Sequence, residues 1–370
     1  MDLGQLFVIG FGGHSVPEET KRLLVEHKAG GAILFSRNIA SLEQVVALNG
    51  ELCALGTPEQ PVLVSVDQEG GRVARLRGIC TDVPAMRVVG EASLTDPDLP
   101  YRMGAMMARE LSALGFHLDY APVLDVDTNP QNPVIGERSF SRDAQLVAQA
   151  GAQLIRGLQQ AGVAASGKHF PGHGDTDTDS HLELPRVPHG KERLEHTELV
   201  PFRAAIDVGV ATLMTAHVLL PAIDAELPAT LSPAILTGLL RQRLGYDGVI
   251  VSDDLEMAAV GARWSIEELV ELGLQAGVDL FLICHDADKQ ARAIEAAHRA
   301  VASGKIPKER VLEALARVQR LKEKFVGAPA APSIDEAKAV VRCSPHLKLV
   351  ERFQGVATGS DRPVALVDEA

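Results

Sequence analysis

The sequence predicts an α/β fold: a TIM-type (β/α)8 barrel forming a single domain, followed by a C-terminal helical extension. Three observations predict it. Short apolar runs rich in Val, Ile, Leu and Phe alternate with helical patterns to about residue 325, the signature of strands laid parallel through crossover helices. The strand-like runs number eight, the count that closes such a barrel. Polar groups gather just after these runs: Arg37 and Asn38 after the second, Asp67 after the third, Lys168 and His169 at the fifth, His217 after the sixth, Asp253 and Asp254 at the seventh, His285 and Asp286 at the eighth. In a barrel the strand C-termini converge on one mouth, where active sites of this fold are built.

In order, strands are expected at residues 6–11 (LFVIGF), 31–36 (GAILFS), 62–67 (VLVSVD), 116–121 (FHLDYA), 163–170 (VAASGKHF), 211–217 (ATLMTAH), 248–254 (GVIVSDD) and 279–286 (DLFLICHD). Helical patterns fall between them at 17–28, 42–55, 102–114, 144–160, 199–207, 233–244 and 266–276, and two more follow at 287–303 and 307–325. Ser232 with Pro233 and Ser265 offer N-caps, while Gly162, Gly245 and Gly277 stand where helices must stop. GAPAAPS at 327–333 reads as a linker. The barrel is therefore expected over 1–326, and 327–370 as linker, a further helix and a polar tail. An open doubly wound sheet would also place ligands at strand C-termini, but FVIGFGGHS lacks the GxGxxG spacing of its phosphate-binding turn.

Composition narrows the partners. With 370 residues and 46% hydrophobic content the chain has ample material for a large core. A net charge of −13 argues against nucleic acid, whose phosphates need a basic surface. No run approaches the roughly 20 apolar residues of a membrane span. Cys53, Cys80, Cys284 and Cys343 are far apart, with no CxxC pair, so free thiols in a reducing compartment are expected. The start, MDLGQLFVIGFGGHS, carries an acidic residue where a signal peptide carries positive charge. A cytoplasmic monomer is the expectation.

Four constellations carry chemistry. The first, KHFPGHGDTDTDSHLELP at 168–185, is too polar and irregular for core. His169, His173, Asp175, Asp177, Asp179 and His181 are all candidate metal ligands, and DTDTDS resembles the start of a calcium loop. That loop fails, because its sixth position is Ser180 and its twelfth Arg186. Zinc lacks an HExxH or a cysteine pair. Acid/base work is the alternative: Asp179 and His181, two apart, share one side of an extended loop, where the carboxylate orients the imidazole. Lys168 and His169 are placed to grip hydroxyls. His14, His27, His189, His196, His298 and His346 are read as incidental.

VSDDLEM at 251–257 is the second constellation, since two carboxylates ending a buried strand are costly unless they serve a site. One can be a nucleophile; alternation turns the other away. The third, SVDQEGGRVARLRG at 65–78, sets Asp67, Glu69, Arg72, Arg75 and Arg77 around a Gly-Gly turn. The fourth, NPVIGERSFSRD at 132–143, carries Glu137 and Arg138. Singly these would be surface ion pairs. Converging on one mouth, they suit recognition of a sugar with many hydroxyls or an acylamino group.

Together KHFPGHG, DTDTDSH, VDQEGGRVARL, GERSF and SDDLEM resemble glycoside hydrolase family 3, specifically its bacterial NagZ-type β-N-acetylglucosaminidases (β-N-acetylhexosaminidases), over about residues 1–330. The resemblance implies a retaining exo-hydrolase that removes N-acetylglucosamine from muropeptides in cell-wall recycling, with no cofactor and no metal. It implies Asp253 as nucleophile, His181 as acid/base oriented by Asp179, and Asp67, Arg75, Arg138, Lys168 and His169 as sugar-binding groups. Relatives acting on β-glucosides carry a bulky aromatic after the nucleophile, where this chain has Asp254. Phosphorolysis on the same residues, a metal-dependent hydrolase and a catalytically silent sugar-binding protein remain the competing readings.

Overall fold

The computed structural model describes residues 1–176, 184–328 and 330–353. Eight parallel strands close into a barrel: β1 (Phe7–Ile9), β2 (Gly31–Leu34), β3 (Leu63–Val66), β4 (Leu118–Asp119), β5 (Ala164–Phe170), β6 (Thr212–Thr215), β7 (Val249–Asp254) and β8 (Leu280–Ile283). Each strand pairs with its neighbours in sequence, and β1 pairs with β8 in the register Phe7↔Phe281 to close the ring. The apolar runs become strands because both faces are covered, one by the barrel interior and one by helices, as a parallel sheet requires. Phe7 and Phe281 stack at 5.4 Å across that seam, both fully buried.

All eight expected strands form, each shorter than its apolar run. The fourth is cut most, to two residues, because the Ala121–Pro122 bond follows and proline has no N–H for the ladder. Pairing resumes beyond it, with Leu124 N–H donating to Lys168 O at 2.6 Å. The expected helices are present, and that at 102–114 begins earlier, as Leu99–Ala113, with Pro100 in its first turn. Met86–Ser93 and Lys191–His196 are helices without an expected counterpart. Ala234–Arg243 is π-helical. No helix among the described residues is long and apolar enough to cross a membrane.

Beyond the barrel, one further helix was expected and two form, Ile334–Val340 and Ser344–Glu351. The break falls at Arg342, which takes a left-handed φ of 52°, followed by Pro345 in the first turn of the second helix. Ala337 is fully buried, and Pro332 closes on Gly115, whose φ of +88° leaves no room for a Cβ: one would lie 2.9 Å from the proline ring.

Candidate active site

The loop after β3 is a two-stranded hairpin, Gln68–Gly70 against Val73–Ala74. Its turn needs glycine: Gly70 and Gly71 have φ of +101° and +54°, and a Cβ on Gly71 would sit 2.8 Å from Ala85 Cα. Gln68 pins the hairpin, its N–H donating to Asp119 Oδ1 (2.9 Å) and its Oε1 accepting the Leu76 N–H (3.1 Å). Glu69 is thereby turned inward, 2% exposed.

Glu69 receives a bidentate fork from Arg138, Nε to Oε2 and Nη2 to Oε1, both at 2.8 Å. Lys168 Nζ approaches Glu69 Oε1 at 2.6 Å and Asp67 Oδ1 at 2.5 Å. Arg138 is in turn braced by Val134 O at 3.0 Å, and Arg72 holds the same carbonyl at 2.5 Å. The loops after β3 and β4 and the end of strand β5 are thus tied by one network of opposite charges. Burial opposes ionisation of Glu69, but the Arg138 and Lys168 charges outweigh it and hold the carboxyl far below its usual range. Burial likewise disfavours charge on Lys168, and Asp67 and Glu69 reverse the effect and raise its pKa. Asp119, fully buried beside them, is pushed well above the carboxylate range by burial first and by the Asp67 and Glu69 charges as well. In the network itself two carboxylates, Asp67 and Glu69, meet two cations, Lys168 and Arg138.

A second cluster centres on Asp125, wholly buried just past β4. Its carboxylate accepts the N–H groups of His169 (3.2 Å to Oδ2) and His173 (2.7 Å to Oδ1), and its Oδ2 lies 2.7 Å from His169 Nδ1. Burial opposes its ionisation, but the charge and hydrogen bond of His169 prevail and lower its pKa. The two imidazoles meet edge to face, centroids 6.0 Å apart. Burial, then the neighbouring His169, pushes His173 down to about 4, so its ring is neutral near pH 7 and Thr176 Oγ1 pairs with Nδ1 at 2.9 Å.

At the end of β7 the two adjacent aspartates differ. Asp254 Oδ1 accepts the N–H groups of Glu256 (3.1 Å) and Cys284 (3.3 Å), and Oδ2 lies 3.5 Å from His285 Nε2. It therefore stitches β7 to the loop after β8. Asp253 Oδ1 accepts the Asp254 N–H at 2.9 Å, and its charge reaches His173. At the third corner Phe35 gathers Arg37, Arg75 and His285: the guanidinium carbons lie 4.3 and 5.7 Å from its ring centroid, and His285 stacks at 5.9 Å.

Of the residues expected from sequence, Asp67, Arg138 and Lys168 share one network, His169 belongs to the adjoining Asp125 cluster, Asp253 stands at the end of β7, and Arg75 lies just past the hairpin that follows β3. Asp179 and His181 lie outside the described residues. Among the described residues no three His, Cys, Asp or Glu side chains converge as a ligand set for a metal ion. Sequence reasoning missed Asp119 and Asp125, although both had a signal: each is an acid in an apolar run, FHLDY and PVLDV. Two histidines read as incidental are paired instead, His189 with Asp175 and His346 with Glu110. Their partners are distant in sequence, so the pairing had no local mark.

The sequence matches the glycosyl hydrolase family 3 N terminal domain over residues 1–321. A beta-hexosaminidase of Nitrosomonas eutropha is 44% identical over 275 residues, 73% of this chain and 78% of that protein. One from Chromobacterium violaceum is 38% identical over 341 residues, 90% of this chain and 93% of its own length. Among solved structures, a glycoside hydrolase family 3 beta-N-acetylglucosaminidase from Paenibacillus superposes with a TM-score of 0.90 at 44% identity, covering 96% of this chain and 68% of that one. NagZ from Neisseria gonorrhoeae, in complex with N-trifluoroacetyl-D-glucosamine, gives a TM-score of 0.80 at 32% identity over 95% of this chain and 98% of that one.

Proposed function

The chain belongs to glycosyl hydrolase family 3 and is a glycoside hydrolase of the β-N-acetylhexosaminidase type, and on that premise we propose a retaining exo-β-N-acetylglucosaminidase that works through a covalent glycosyl-enzyme. Its substrates in this reading are N-acetylglucosamine-terminated muropeptides met in the cytoplasm during cell-wall recycling. A monomer suffices, with 1–326 as the catalytic barrel and 327–370 as linker and helical extension.

The observation that carries the reading is the asymmetry of the SDD pair. Asp254 is committed to backbone groups of Glu256 and Cys284, whereas Asp253, half-buried, is left to face the histidine cluster. A nucleophile needs this placement, a carboxylate on a rigid strand end with its ligand-side oxygen unencumbered. Asp253 attacks the anomeric carbon as His181, oriented by Asp179, gives a proton to the leaving oxygen; His181 then takes a proton from the water that releases the sugar. An ammonium has three hydrogens, and Asp67 and Glu69 engage two of those of Lys168. The third is available to a sugar hydroxyl. Asp67, Arg75, Arg138 and His169 complete the binding set in this proposal.

Asp253→Ala should lower kcat on 4-nitrophenyl N-acetyl-β-D-glucosaminide by at least about a thousandfold while the protein stays folded. An unchanged rate would sink the assignment. The first sugar product seen by proton NMR should be the β-anomer, and the same free sugar should form with or without inorganic phosphate. An α-anomer would refute retention, and a sugar phosphate would refute hydrolysis.

A further inference from the structure

The C-terminal helices meet the long segment that follows β3 through one carboxylate. Glu110, on helix Leu99–Ala113, is 2% exposed. Its Oε2 accepts the Thr81 N–H at 2.7 Å and its Oε1 the Thr81 hydroxyl at 2.6 Å. From the other side Oε1 accepts the Arg342 N–H at 2.9 Å and lies 2.7 Å from His346 Nδ1. Two segments that are far apart in sequence therefore share one buried anion.

Thr81 closes the loop that carries Arg75. That loop leaves the Gly70-Gly71 turn, folds back with Cys80 N–H on Leu76 O (2.9 Å), and is clasped at its base by Gly71 N–H on Val83 O (2.9 Å). The C-terminal side reaches the same place a second time, since Arg342 Nη1 donates to Cys80 O at 3.2 Å. Arg342 holds a φ of +52° to aim its N–H at Glu110, a left-handed conformation uncommon for a side chain of this size. A buried carboxyl group is held in place by the donors around it. Without the C-terminal donors, Glu110 loses half of the partners that fix it, and Thr81 loses a fixed anchor.

We propose that Glu110 and His346 are positioning residues: the helices Ile334–Val340 and Ser344–Glu351 set, through Glu110, the conformation of the Arg75 loop and hence the affinity for the sugar. The proposal rests on the reading of Arg75 as a sugar-binding group. His346→Ala should raise KM for 4-nitrophenyl N-acetyl-β-D-glucosaminide about tenfold, the loss of one hydrogen bond to a charged group, with kcat nearly unchanged. His346→Asn keeps an N–H donor toward Glu110 and should restore most of the affinity. Amide exchange across residues 76–83 should quicken in His346→Ala and recover in His346→Asn. Adding Arg75→Ala to His346→Ala should raise KM no further than Arg75→Ala alone. A lowered melting temperature with KM and loop exchange both unchanged would overturn the proposal. Should Arg75→Ala itself leave KM unaltered, the sugar-binding reading of Arg75 fails, and loop exchange still decides whether the coupling exists.

Discussion

Both ends of the barrel bury charge, but they do so differently. At the mouth, Glu69 and Asp67 meet Lys168 and Arg138, drawn from the loops after β3 and β4 and from the end of β5. At the bottom, Asp279 is fully buried among Arg241, Arg310 and Arg317, and Lys322, 1% exposed, donates to the neutral amide of Gln5 at 2.7 Å. Mouth charges compensate one another in a fixed geometry. Lys322 has burial alone acting on it, which pushes its pKa down to about 7. Where a ligand must be met by charged groups, opposite charges hold each other in register; where none must be met, a poorly compensated amine is tolerated as a loss of stability.

Breaking the mouth network should have the largest effect. Glu69→Gln leaves Lys168 and Arg138 buried with one anion removed, and should lower stability by about 3–5 kcal/mol, the usual result of removing one member of a buried ion pair. The two loops and the end of β5 lose their common tie, so kcat/KM should fall roughly a hundredfold. The pH dependence has a fixed sign. The folded-state pKa of Glu69 lies below its usual 4.5, so its contribution is full above about pH 4.5 and is lost as the pH falls below that. The difference between wild type and variant in urea midpoints should therefore shrink toward acid pH. A variant as stable and active as wild type would show that the network holds nothing.

Asp125→Asn is the finer test at the same end. One of its two oxygens becomes an NH2, which would face either the His169 N–H held by Oδ2 or the His173 N–H held by Oδ1. A loss of about 2 kcal/mol and a drop in kcat/KM of roughly tenfold are expected, the first from unsatisfied buried donors and the second from displaced imidazoles. Equal stability with lost activity would assign Asp125 to chemistry rather than to holding the histidines.

These two carboxylates also mark how far the sequence could be read. The eight strands were legible because strands buried on both faces are written as continuous apolar runs, and the mouth was legible because polar residues end them. Asp253 was legible as one of a pair, and the family resemblance singled it out; the structure adds that Asp254 accepts the Glu256 N–H beside it and the Cys284 N–H from across the β7–β8 seam. The pairing of Asp125 with His169 and the Glu110–His346 contact were illegible for a different reason, although Asp125 itself was marked as an acid in an apolar run. Their partners lie 44 and 236 residues away, and no local period records such a meeting. The split of the C-terminal extension into two helices turns on the left-handed Arg342, a conformation fixed by a tertiary hydrogen bond rather than by propensity.

At the bottom the expected change has the opposite sign. Folding takes the Lys322 amine from a usual 10.5 to about 7, so at neutral pH the unfolded chain binds a proton that the folded chain holds weakly. Wild-type stability therefore carries a deficit that is fullest below pH 7, on the order of 5 kcal/mol, is nearly as large at pH 7, and disappears as the pH rises to 10.5. Lys322→Met removes the deficit and leaves Gln5 Oε1 without its donor, which takes back about 1 kcal/mol. The variant should be more stable than wild type by about 2 kcal/mol at pH 7, allowing for imperfect repacking, and the gap should close toward pH 10. Activity should not change, since Lys322 sits at the end of the barrel opposite Asp253. Urea unfolding of both proteins at pH 7 and pH 10 reads the sign directly. A destabilised variant at pH 7 would mean that the Lys322–Gln5 bond outweighs the desolvation of the amine, and that the bottom, like the mouth, is held together by its buried charge.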